Sequence, residues 1–180
     1  MMDFLEFVRD PCLTVQVDGK DMGIVVYADA SYAVHSDCKS HGGVVATHSH
    51  GPVLVKCAKQ KIVTKSSTEA ELVTLSDATS IAAHSVNFLK GQGYDVSATL
   101  MQDNMSTMKL AENGRSTSDR TKRVDVRYFF VKQCLDSGVM KIEHCPTKQM
   151  ISDILTKPLQ GESFRLLRDL LLGYKKREQL

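Results

Sequence analysis

Four acids in this chain, Asp29, Glu71, Asp103 and Asp153, fall where secondary-structure elements are predicted to begin or end, and carboxylates so placed can converge. Asp29 closes the run MGIVVYADA (22–30), and Asp103 closes SATLMQD (97–103) in the same way. In an open sheet, acids at the carboxyl ends of neighbouring strands can share a crevice. An Asp-Asn pair after a strand is also good turn and N-cap chemistry, so each of the two taken alone has a structural reading as well. Asp153, in ISDILTKPL, has Ile151, Ile154 and Leu155 as neighbours and also reads as the polar face of a short helix. Carboxylates on two strand ends and two helices suit Mg2+, a hard ion that takes oxygen ligands and keeps waters for a substrate. Two such ions about 4 Å apart can activate a water and stabilise the leaving oxygen of a phosphodiester. Like charges that close repel strongly without a cation, so the four acids make chemical sense together mainly as a metal site.

The segment TKSSTEAELV (64–73) carries two glutamates, and at 100° per residue Glu69 and Glu71 point about 200° apart on a helix. Leu72, Leu75, Ala82, Ala83, Val86 and Leu89 define the apolar stripe of that helix. Glu71 lies about 60° from the centre of the stripe and Glu69 about 100° from it, which puts Glu71 at the edge of the buried face. Ser66-x-x-Glu69 matches a capping box, a sufficient structural task for Glu69. Thr68-x-x-Glu71 fits the same pattern, so the phase favours Glu71 as the chemical residue without deciding it.

The elements that must position these acids follow from periodicity. The β-branched run 22–30 reads as a strand buried on both faces. GGVVATHSH (42–50) and PVLVKCAK (52–59) read as a tight hairpin about Gly51 and Pro52. A long helix spans Ser67 to about Lys90 and stops near Gly91 and Gly93. Strand 97–103, helix 104–114, an amphipathic helix in 121–137 (Val124, Tyr128, Val131, Leu135), strand 139–145 and helices over 148–156 and 162–172 complete the order. Hairpin strands followed by helical crossovers imply an α/β fold, a mixed sheet covered by helices.

Composition excludes several classes. With 42% hydrophobic and 24% charged residues over 180 positions, the chain suits one globular domain rather than a disordered or coiled-coil protein. A net charge of +2 permits a nucleic-acid partner but does not require one. Five scattered cysteines (12, 38, 57, 134, 145) without a C-x-x-C pair point to a reducing, intracellular setting rather than a secreted disulfide scaffold. The start MMDFLEFVRD carries acids within its apolar stretch, unlike a signal peptide. No run approaches 18 apolar residues, so no membrane helix is expected.

Taken in order, VVYADASYA, KQKIVTKSSTEAELVTLSDA, QDNMSTMKLAENG, DRTKRVDVRYFFVKQ and HCPTKQMISDILTKPL resemble the ribonuclease H domain of copia-type retrotransposon Pol polyproteins. The resemblance covers roughly residues 22–160 and departs from the usual pattern at Ser31, Arg123, Phe129 and Ser152, and in the absence of any Trp. It implies a ribonuclease H-like fold with a five-stranded mixed sheet and helices on both faces. It also implies cleavage of the RNA strand of RNA–DNA hybrids during reverse transcription. Asp29, Glu71, Asp103 and Asp153 would then hold two Mg2+ ions, with Mn2+ as a substitute and no small-molecule cofactor. The expected organisation is an N-terminal segment (1–21) read as the end of an upstream polymerase connection, the ribonuclease H-like domain (22–160), and a C-terminal helix and tail (161–180). The family implies a cytoplasmic virus-like particle as the setting. The alternative is a ribonuclease H-like module that grips nucleic acid or a polymerase domain without cutting.

Basic residues supply expected contacts to such a hybrid. Lys56, Lys59, Lys61 and Lys65 flank the approach to the long helix, and Arg115, Arg120, Lys122, Arg123 and Arg127 cluster after the short one; both groups suit backbone phosphates. Ser67 and Asn104 are candidates for the RNA 2′-hydroxyl. Cys38-x-x-His41 and His48-x-His50 offer zinc-type ligands, but a whole strand between His41 and His48 would hold the two halves apart.

Overall fold

Apolar and small residues fill both faces of the strand at the centre of the sheet, β1 (Ile24–Ser31), of which only Val25 and Ser31 are less than fully buried. The computed structural model describes residues 23–48, 51–113 and 122–174, with the side chains of 122–125 outside that description. The expected N-terminal segment, Arg115, Arg120 and the last six residues lie outside the described residues, as do the side chains of Lys122 and Arg123.

β2 (His41–His48) runs antiparallel to β1, and β3 (Gly51–Lys59) antiparallel to β2. After α1 (Ser67–Gly91), β4 (Ala98–Gln102) returns parallel to β1. α2 (Met105–Asn113) and α3 (Lys122–Asp136) lead to β5 (Met140–His144), parallel to β4. A 3-10 turn (Thr147–Gln149), the short α4 (Asp153–Thr156) and α5 (Gly161–Leu171) follow. The five-stranded mixed sheet has the order β3-β2-β1-β4-β5.

Strand alternation assigns the two faces. Ile24, Val26, Ala28, Val44 and Ala46 pack with Leu75, Ala78, Ala82 and Val86 of α1 and with Val131 of α3. Tyr27, Val45 and Met101 pack on the opposite face with Met150, Ile151 and, from α5, Leu167 and Leu170. Helices therefore cover both faces, as expected.

Two local expectations shift. Gly51 and Pro52 belong to β3, paired with His48 and Thr47, so neither forms the hairpin connection that the Gly-Pro signal assigns to them. β3 is an edge strand, where a proline is tolerated. The expected helix 148–156 divides in two because Met150 adopts an extended conformation between the 3-10 turn and α4.

Candidate active site

Of the two glutamates in the first turns of α1, Glu71 is the one that stands with Asp29 and Asp103. Ser66 caps α1 with its hydroxyl accepting from the Glu69 N–H at 3.1 Å, and Glu69 Oε2 accepts from the Lys65 N–H at 2.7 Å. The capping-box glutamate thus reaches one residue beyond the Ser66 N–H that the motif usually engages. Glu71, on the inner side of the same turn, is 7% exposed.

Asp29 lies next to the end of β1 on the face covered by α4. One oxygen each from Asp29, Glu71 and Asp103 lie within 4.8 Å of one another. Gln102, fully buried at the end of β4, ties two of the three together. Its Nε2 donates to Glu71 Oε2 at 3.4 Å, while its Oε1 accepts from the N–H groups of Asp103 (2.8 Å) and Asn104 (3.2 Å). Thr147 donates its hydroxyl to Asp103 Oδ2 at 3.4 Å.

Asp153, the fourth expected acid, opens α4 and is buried, but it is not part of this three-carboxylate group. Its Oδ1 accepts from Lys157 Nζ at 2.8 Å, and the same ammonium reaches Asp29 Oδ1 at 3.4 Å. α4 is fastened to the sheet by several contacts. The Thr156 hydroxyl donates to Asp29, the Ser31 hydroxyl to the Thr156 carbonyl, and the Cys57 thiol to the Leu155 carbonyl at 3.3 Å. Gly43 pairs with Asp29 on one side and Cys57 on the other, and it leaves the gap that α4 fills. A Cβ at Gly43 would stand 2.9 Å from both Leu155 Cβ and Thr156 Cγ2 and 3.1 Å from the Ser152 carbonyl oxygen.

The electrostatics follow from crowding. Burial, and then the charges of Asp29 and Asp103, push the Glu71 carboxyl up to about 9. Burial also raises Asp153, to about 6, with the Lys157 hydrogen bond opposing it. Burial would depress Lys157, but its hydrogen bond to Asp153 and the charges of Asp29, Asp153 and Asp103 outweigh that and hold the ammonium above its ordinary value. All three ligand atoms of the Asp29–Glu71–Asp103 group are carboxylate oxygens, the donor set of a hard cation, and the repulsion expressed at Glu71 is what such a cation relieves.

The remaining expected residues are dispersed. Ser67 is exposed at the start of α1. Asn104 Oδ1 accepts from the N–H groups of Ser106 (3.0 Å) and Thr107 (3.2 Å), so that oxygen caps α2. Arg127 bonds Asp77 Oδ1 at 3.3 Å and Lys56 bonds Asp77 Oδ2 at 2.8 Å. Together with Lys59 and Lys61 they line a cleft of about 250 Å³ between β3 and α1. His41 and His48 stand at opposite ends of β2, and His50 lies outside the described residues; a His41 ring nitrogen lies 3.1 Å from one of His35, and the other lies 3.0 Å from the Cys57 sulfur. Gly43, Gln102, Thr156 and Lys157 were not singled out by sequence reasoning. The available signals were a glutamine ending an apolar strand and a lysine four residues after Asp153, one helical turn on.

No family model matches the chain. It is 29% identical over 150 residues to the retrovirus-related Pol polyprotein from transposon RE2 of Arabidopsis thaliana, covering 82% of this chain and 10% of that protein. It is 29% identical over 155 residues to the corresponding polyprotein of transposon TNT 1-94 of Nicotiana tabacum, covering 85% and 12%. The chain therefore spans about a tenth of the length of these curated relatives. Among solved structures, RNase H1 from Halobacterium salinarum NRC-1 superposes with a TM-score of 0.52 at 20% identity, covering 72% of this chain and 90% of that one. LC11-RNase H1 in complex with an RNA/DNA hybrid gives 0.52 at 13% identity, covering 71% and 88%. The chain is thus a homologue of the retrovirus-related Pol polyproteins of transposons, over a segment that carries the ribonuclease H fold.

Proposed function

We propose that this chain is a metal-dependent ribonuclease H that cleaves the RNA strand of RNA–DNA hybrids within a retrotransposon Pol polyprotein. The observation that carries this reading is the approach of Asp29, Glu71 and Asp103 to within 4.8 Å on the scaffold of a ribonuclease H fold. Asp29, Glu71, Asp103 and Asp153 are the residues that hold divalent cations, with Mg2+ as the physiological ion and Mn2+ as its substitute. Bound there, such ions supply an activated water and stabilise the charge that develops on the leaving oxygen.

The chain's own residues supply the positioning. Gln102 orients Glu71 and the backbone that presents Asp103. Gly43, Ser31 and Cys57 seat α4, so that Asp153 faces Asp29 across the Lys157 ammonium. Lys56, Lys59, Lys61 and Arg127 form the basic cleft that receives phosphates of the hybrid backbone; Arg120, Lys122 and Arg123 are further phosphate contacts in this reading by their sequence alone. Ser67 and Asn104 are the candidates for contact with the RNA 2′-hydroxyl. This reading carries with it an upstream reverse transcriptase domain as partner and residues 22–160 as the nuclease unit.

The test is incubation of the protein with a labelled RNA–DNA hybrid in Mg2+ or Mn2+ beside Asp29→Asn. Cleavage confined to the RNA strand and lost in Asp29→Asn is expected. Binding of the hybrid with no cleavage above that control refutes the enzyme and leaves a binding module.

A further inference from the structure

The four acids are not equivalent, and Lys157 marks the division. Asp29 belongs to both halves. One side of it faces Glu71 and Asp103, whose oxygens complete the three-carboxylate group. Its Oδ1 faces the Lys157 ammonium at 3.4 Å, and that ammonium binds Asp153 Oδ1 at 2.8 Å. Asp29 thus belongs to a three-carboxylate group on one side and to a lysine-bridged pair with Asp153 on the other. An ammonium is a compact point charge on a flexible four-carbon stem. The Lys157 side chain is 36% exposed, whereas those of Asp29 and Asp153 are 2% and 5% exposed. The ammonium can therefore swing out to solvent, while the two carboxylates it joins are held in place.

We infer that Lys157 is a built-in counter-cation for the Asp29–Asp153 position. A first divalent ion binds at Asp29–Glu71–Asp103, where no side-chain ammonium occupies its place, and a second enters between Asp29 and Asp153 only by displacing the lysine. Lys157 is a positioning residue in this scheme, setting the order and the affinity of cation entry. The inference rests on reading the carboxylates as a metal site, and the experiment separates the two claims.

Mn2+ is titrated into the whole chain without substrate, and free Mn2+ is read by electron paramagnetic resonance, for the wild type, Lys157→Met and Lys157→Gln. The wild type is expected to bind one ion tightly and a second at least about tenfold more weakly. Both variants should tighten the second step by about tenfold, equivalent to about 1.4 kcal/mol, while the first changes by less than about threefold. Lysine acting only as a nearby positive charge would shift both steps by the same factor. Equal shifts, or no shift in variants whose circular dichroism matches the wild type, overturn the inference and leave the metal site standing. Absence of Mn2+ binding by the wild type overturns both.

Discussion

Replacing Gly43 by alanine tests how the fourth acid is held. The added Cβ meets Leu155 Cβ and Thr156 Cγ2 at 2.9 Å and the Ser152 carbonyl oxygen at 3.1 Å. Carbon atoms rest at about 3.5–4.0 Å, so α4 must retreat by roughly 0.6–1 Å or β2 must bend. Leu155 Cβ and the Ser152 carbonyl oxygen are fixed to the backbone, so a rotamer change at Thr156 alone cannot absorb the clash. Overpacking of this kind costs about 1–3 kcal/mol. At about 2 kcal/mol, a chain of this size loses roughly 4–8 °C in Tm. The retreat also stretches the bonds from Thr156 to Asp29, from Ser31 to Thr156 and from Cys57 to Leu155, and it displaces Asp153 and Lys157. A misplacement of about 1 Å in a catalytic group can cost about 10²-fold in rate. Thermal unfolding followed by differential scanning fluorimetry and cleavage of a labelled hybrid read the two consequences. Gly91→Ala serves as the control, because a Cβ there meets nothing within 4 Å. A Gly43→Ala protein with a Tm within about 1 °C of the wild type and unchanged cleavage would refute the docking argument.

Glu71→Gln should abolish metal-dependent cleavage, whereas Glu69→Gln, which weakens only the cap at Ser66 and Lys65, should cost on the order of 1 kcal/mol of stability and keep cleavage. The reverse pattern in parallel activity and unfolding assays would overturn the assignment. A pH effect follows from the same residue. Unfolded, Glu71 releases its proton near 4.5; folded, it holds the proton to about 9. The folded state therefore binds more protons across that window, and stability in chelator should fall as pH rises from about 5 to 9, by up to about 1.4 kcal/mol per unit. Tm measured in chelator across that range should decline in the wild type, and both Glu71→Gln and added divalent ion should flatten the decline. A wild-type Tm independent of pH would contradict the crowding of carboxylates.

The parts of the site set by local periodicity were legible in the sequence. Two strands ending in Asp29 and Asp103 and a helix whose phase turns Glu71 inward already imply a meeting point, because strand ends and helix faces follow from periods of 2 and 3.6. Asp153 was legible as an acid on a helix, but its partner was not. Whether an i,i+4 lysine reaches solvent or bridges to Asp29 depends on how α4 sits on the sheet. That seating depends in turn on Gly43, a residue whose cross-strand register and missing side chain carry no periodic signal. Gln102 was hidden for a related reason, since its value lies in contacts to Glu71, which comes from a separate element. The histidines of β2 show the converse, where a ligand-like spacing is dissolved by strand length.

The fastening of α4 has a consequence for biosynthesis. Asp29 and Thr156 are 127 positions apart, and Ser31 and Thr156 are 125 apart. During translation the hairpin, α1 and β4 emerge with three carboxylates well before the segment that brings the fourth and its lysine. Non-local closure of that kind is slow and comes late in folding. A nascent chain therefore carries an incomplete centre until residues 153–157 dock against the sheet.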